Sequence, residues 1–235
     1  MHWSRFLGVP GSALQEDGIV VTQHAQLGSY RGVWFFVREN SAVVSAPPEW
    51  VAPLERALGS VELHQLLSPE FVGRVLGDAA ARIIGRSYQG WLPPDRFVRT
   101  PSDRVRRLDE TELGLAENVR APSSPEEWEQ GGIEIAGREV SAAFSGPQIV
   151  SLGQLRAQPG DAADPCIITH PSHRGHGHAR RLMSTMVEAA LSAGKLVLYQ
   201  TLLSNGPAVS LAHSIGFNQY ATLRAARFVS RSPAF

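Results

Sequence analysis

The sequence predicts an α/β protein, and three observations carry that expectation. Hydrophobic residues make up 43% of the 235 and charged residues 19%, which supplies a core and is too weakly charged for a disordered chain. Short strand-like runs alternate with stretches whose apolar residues recur at helical spacing. Near the C-terminal third, an apolar run, Cys166 to Thr169, leads through a turn containing Gly175 and Gly177 into an amphipathic segment, the order strand, glycine turn, helix.

Taken in order, Gly18 to Thr22 and Gly32 to Val37 have strand character, while Pro48 to Leu58 and Pro69 to Ala81 have helical spacing behind prolines near their starts. WLPPDRFVRTPSDR, residues 91–104, is rich in proline and poor in apolar residues, and places a domain division near Ser102. This separates an N-terminal α/β region, 1–102, from a second domain, 103–235. After it come a short strand at Val105 to Leu108 and a helix capped by Asp109 and running to about Val119. A second short helix starts at Ser124, with Pro125 in first position and Glu127 completing a capping box, and stops at Gly131 and Gly132. Strands follow at Ile133 to Ile135, Glu139 to Phe144 and Gln148 to Arg156, then a loop, GDAAD, before the strand from Cys166. From Ala179 the stripe Leu182, Met183, Met186, Val187, Ala190, Leu191 defines a helix closed by Gly194. Leu196 to Leu202 is a strand, Asn205 and Pro207 open a helix closed by Gly216, and a last strand covers Ala221 to Val229.

Charge narrows the partners. Twenty-two Lys plus Arg balance 22 Asp plus Glu, so the chain has no broad field for nucleic acid. Locally, residues 170–235 carry seven cations (Arg174, Arg180, Arg181, Lys195, Arg224, Arg227, Arg231) against Glu188, a bias suited to an anionic ligand. No apolar run approaches the ~18 residues of a membrane span. The opening MHWSRFLGVPGSAL breaks at Pro10 and Gly11 before a long apolar core. One cysteine, Cys166, permits no intrachain disulfide and fits a reducing compartment. The expectation is a cytoplasmic protein, monomer or homodimer, with no membrane or nucleic-acid partner.

The chemistry concentrates in THPSHRGHGHARRLM, Thr169 to Met183. Glycines permit close backbone approach, and a helix's first turn presents unpaired N–H groups and the positive end of its dipole, so this turn is suited to phosphate. It lacks the Gly-Lys-Ser/Thr ending of a P-loop and the third glycine of the dinucleotide turn. His170, His173, His176 and His178 diverge around such a turn without a carboxylate or thiolate in the run, so no metal is expected.

Arg174-x-x-Gly177-x-Ala179 resembles the R/Q-x-x-G-x-G/A pyrophosphate motif of the GNAT superfamily of acyl-CoA-dependent N-acetyltransferases. Asn205-x-x-Ala208-x-x-Leu211-Ala212-x-x-x-Gly216-Phe217 resembles that family's second motif, with alanine where many relatives have tyrosine. The resemblance covers about Asp103 to Val229, and the first region is either a degenerate second copy or an addition. It implies a mixed, largely antiparallel sheet flanked by helices, with acetyl-CoA as co-substrate and an amine as acceptor. It implies that the pyrophosphate lies on the backbone of Arg174, Gly175, His176, Gly177, His178 and Ala179. The pantetheine arm would pair with Ile167, Ile168 and Thr169 where adjacent strands splay, and Asn205 would contact the same arm. Direct amine attack on a thioester needs a proton acceptor and an acid for the leaving thiolate. With alanine at position 212, Tyr220 is the candidate acid. With Gln200 where relatives often place a glutamate, the candidate base is Glu129, with Glu127 and Asp164 as further carboxylates. A non-catalytic acyl-CoA-binding module is the alternative, favoured by the same two departures.

Overall fold

A computed structural model describes residues 2–27, 30–59, 61–135 and 139–228. In chain order its first elements are α1 (His2–Leu7), β1 (Gly18–Gln23), β2 (Gly32–Arg38), β3 (Ser41–Ala46), α2 (Pro48–Leu58), α3 (Pro69–Leu76) and β4 (Ala80–Trp91). They are followed by β5 (Val105–Arg107), α4 (Glu117–Arg120), α5 (Pro125–Gly131), β6 (Ser141–Ser145), β7 (Gln148–Gln158) and β8 (Ala162–Thr169). The last are α6 (His178–Ser192), β9 (Leu196–Leu202), α7 (Gly206–Ile215) and β10 (Asn218–Phe228). The fold is α/β with a largely antiparallel, mixed sheet flanked by helices. None of the described helices is long and apolar enough to cross a membrane.

Two compact units are present. One comprises Met1–Gln89, Leu202–Asn205 and Gln219–Phe235, the other Gly90–Thr201 and Gly206–Asn218. This division differs from a single cut near Ser102. The proline-rich segment belongs to the second unit because its backbone is anchored there: Leu92 N–H donates to Val197 O (2.9 Å), Val98 N–H to Ile215 O (2.9 Å) and Thr100 N–H to the Ser184 hydroxyl (2.7 Å).

In the first unit the strands lie in the order β1-β3-β2-β10-β4. β1 runs parallel to β3, while β2 is antiparallel to both β3 and β10. Every residue of β3 is buried, as expected of a strand covered on both faces. Val33, Phe35, Val44, Leu54, Leu66, Phe71 and Val72 share one core. α3 is shorter than the helix expected through Ala81, because Gly77 takes φ +52° and the chain enters β4 at Ala80.

In the second unit the order is β9-β8-β7-β6-β5, antiparallel except for the parallel β8–β9 pair. α6 places Leu182 and Met186 on one face against Leu155, Ile167 and Ala143. α4, α5 and the turns around them cover the other, where Val119, Ile133, Leu152, Cys166 and Ile168 pack. Asp109 and Ser124 both cap as expected, each in a capping box, but the helix behind Asp109 is 3-10 from Glu110 to Ala116 before its α turn. Ile133 to Ile135 is not a strand: Gln154 grips the backbone there, accepting from Glu134 N–H and donating to Glu134 O, both at 3.1 Å. Of the expected last strand, Val229 lies outside the described residues.

Candidate acyl-CoA site

β8 begins four residues before Cys166, so Ala162 to Asp164 are strand rather than loop. On one side β8 pairs with β7 over its whole length, from Ala162↔Gln158 to Thr169↔Ser151. On the other its ladder with β9 has only two rungs, Ala162↔Leu196 and Ala163↔Val197, after which the two strands part. The backbone of Asp161 accepts from Leu196 on the β9 side, and that of His170 donates to Val150 on the β7 side. Because backbone groups of successive strand residues point to opposite neighbours, Ala163, Pro165, Ile167 and Thr169 face β9. Proline has no N–H to give, so Pro165 cannot extend the ladder. Beyond it, the main chain of Ile167 faces the opening of the fork.

The glycine turn stands at the end of this strand. Gly175 and Gly177 have φ +79° and +77°, the left-handed region open to glycine at little cost. Gly177 is the N-cap of α6 and supplies no side chain to its first turn, and residues 174–177 are exposed. The first N–H groups of a 15-residue helix therefore face outward beside a strand with a free edge. Arg174 does more than lie near this turn. Its guanidinium bridges Glu127 on α5 (2.7 Å) and Thr169 O (3.2 Å), tying the turn to α5 and β8. Arg181 Nη1 donates to His176 O (3.0 Å), bracing the same turn. Thr169 is held through its hydroxyl, 2.9 Å from that of Ser151.

The histidines are spread around the turn. Those of His170 and His173 lie 5.2 Å apart and those of His173 and His178 6.1 Å, and the Nδ1 atoms of His170 and His176 bond to Ser172 and to Arg174 O. Among the described residues, no three metal-capable side chains are grouped.

The acid and base candidates differ sharply in surroundings. Tyr220 lies in the first unit, its ring near Trp3 and Phe36 with the Arg38 guanidinium 4.6 Å above it. Its hydroxyl is buried without a hydrogen-bond partner among the described residues, so the ring packs as core. Asn205 also falls in that unit, in a turn where its N–H donates to Leu202 O. Glu129 is exposed on α5. Glu127 is committed to Arg174 and to the Ser124 N–H, which together hold its carboxyl below the ordinary range. Ala212, in the place of the family's tyrosine, is fully buried on α7.

Asp164 is the group whose setting the sequence reading misses. It sits in β8 directly opposite Arg156, and Gln154 is opposite Cys166, so these four share the face covered by α5. Burial pushes the Asp164 carboxyl up to about 7 against the opposing pull of Arg156 and of the Gln200 backbone N–H. Cys166 accepts from Arg156 (2.8 Å), yet burial and then Asp164 push its thiol up to about 11, leaving it a neutral core group. A strand reading that starts at Cys166 puts Asp164 in a loop, which hides this.

Residues 105–217 match the acetyltransferase (GNAT) family. No curated protein matches the sequence at a significant level. Among solved structures, the chain is similar to a GNAT-family protein from Novosphingobium aromaticivorans, with TM-score 0.51, 18% identity, and 64% of this chain and 67% of that one covered. A GNAT-family acetyltransferase from Colwellia psychrerythraea gives 0.50 and 17%, covering 66% and 60%. A GCN5-related N-acetyltransferase-like protein from Streptococcus suis gives 0.52 and 14%, with 97% of both chains covered. At these identities the likeness is one of fold, and the chain spans about two thirds of the first two relatives. Family and fold support acyl-CoA-dependent acetyl transfer in general.

Proposed function

We propose that the protein moves an acetyl group from acetyl-CoA to a primary amine of a small molecule or peptide. The observation that carries this reading is the conjunction of the β8–β9 fork with the glycine turn and open α6 terminus, all inside the region that matches the family. The backbone of residues 174–179 is read as the pyrophosphate cradle, where dipole and unpaired N–H groups favour negative charge. Ile167 to Thr169 are read as the free strand edge for the pantetheine arm. When bound, acetyl-CoA supplies the thioester carbonyl that the amine attacks. The chain's part is to fix that carbonyl in the fork, exclude water and hold a proton acceptor beside the amine.

Ala212 and Gln200 favour a second reading, an acyl-CoA-binding module without turnover, since neither side chain handles a proton. The two separate in one experiment. Free thiol is followed after acetyl-CoA is mixed with the protein and a panel of small amines and peptides. Amine-dependent thiol release supports transfer. Tight acetyl-CoA binding with no release across the panel supports the module.

A further inference from the structure

The proton acceptor of the proposed reaction has no residue assigned by the family motifs. Glu127 is bound to Arg174 and serves a helix cap, and Gln200 cannot take a proton. Asp164 stands at the point where the fork opens. It follows immediately on the last rung, Ala163↔Val197, and its carboxylate accepts from the Gln200 N–H, standing in for the ladder partner that the parting strands deny to β9. That contact uses one oxygen. Oδ1 is buried and has no hydrogen-bond partner among the described residues. A buried carboxyl oxygen without a partner is costly to keep, which marks it as a place where a donor belongs.

We propose that Asp164 Oδ1 receives the proton of the amine that attacks acetyl-CoA in the β8–β9 fork. This rests on the acetyl-transfer reading above. The nitrogen lone pair forms the C–N bond at the thioester carbonyl carbon, the nitrogen's proton passes to Oδ1, and the C–S bond breaks with its electron pair on sulfur. The sulfur takes that proton from Asp164, directly or relayed through a water, giving an amide and free thiol with Asp164 restored to its charged form. The groups facing the carboxyl are Arg156 from β7, Cys166 from β8 and the Gln200 N–H from β9, while Glu134 from the turn after α5 acts on Arg156 and Cys166. Arg156 is the only cation among them, and burial outweighs it, so the carboxyl accepts a proton near neutrality while its ionised form keeps one fixed donor.

The test uses the full chain with the most active amine of the panel, measuring thiol release from about pH 5.5 to 9 alongside thermal unfolding with acetyl-CoA. Asp164→Asn keeps the shape and the acceptor for the Gln200 N–H but takes no proton. It is expected to retain the acetyl-CoA-induced shift, to lose roughly 100-fold or more in kcat, and to lose the rising limb of the profile near neutrality. Asp164→Ala is expected to be inactive and partly restored by added formate. If Asp164→Asn keeps kcat within a few-fold with the limb intact, or formate restores nothing to an Asp164→Ala protein that still binds acetyl-CoA, Asp164 only holds the fork and the proposal is overturned. Binding without turnover in the unaltered protein overturns the transfer reading itself, a separate result.

Discussion

At Gly132 two demands meet in one residue. It ends α5 with φ +66°, and a Cβ there would collide with the Arg156 guanidinium and press on Cys166 Sγ at 3.3 Å. Gly132→Ala is therefore expected to cost about 1–3 kcal/mol, read as a lower urea midpoint at unchanged slope. Asp164 carries a different signature. Its carboxyl is raised from an ordinary value near 3.8 to about 7, so between these pH values the folded state holds a proton that the unfolded state has released. Its contribution is intact below about pH 4 and is lost as pH rises through 7, at up to about 1.4 kcal/mol for each pH unit crossed. Relative to Asp164→Asn, the unaltered protein should lose stability over that window and level off above it. Denaturant unfolding of both proteins from about pH 4 to 8.5 checks the sign.

Among the elements, α5 is a small helix with a disproportionate role, because Arg174 reaches it from the glycine turn. Ser124 accepts from Glu127 N–H at 3.1 Å, and Ser124→Ala is expected to cost about 1 kcal/mol. The exposed Arg174–Glu127 pair adds little to stability, so Glu127→Gln should leave the melting point nearly unchanged while loosening the turn, seen as weaker acetyl-CoA binding. Caps and glycine stops made α2, α5, α6, β9 and α7 legible in the sequence, since each rests on local rules that hold regardless of what packs nearby. β3 carries no local signature, because a strand buried on both faces does not alternate. The fork was expected from the resemblance alone. Its physical cause, a proline facing β9 and a carboxylate taking the place of a ladder partner, depends on which strand lies alongside, and that is tertiary information.

Across the whole molecule, the chain crosses between its two units more than once, with 202–205 and β10 returning to the first. A linear division near Ser102 has no means of anticipating this, because a returning strand leaves no compositional break. The matched region, 105–217, holds the cradle, the fork and Asp164, while Tyr220 lies beyond it. The central claim is that acetyl-CoA binds at the glycine turn and the fork, and thermal unfolding with and without acetyl-CoA tests it most directly. Ligand at 100 times its Kd adds about 2.7 kcal/mol, a rise in Tm of roughly 5 to 11 °C for a chain of this size. The unaltered protein should show that shift. Gly177→Glu and Gly175→Glu, each placing a carboxylate in the cradle, should melt as folded proteins and show none. Equal shifts in all three proteins, or no shift in the unaltered one, would contradict the account.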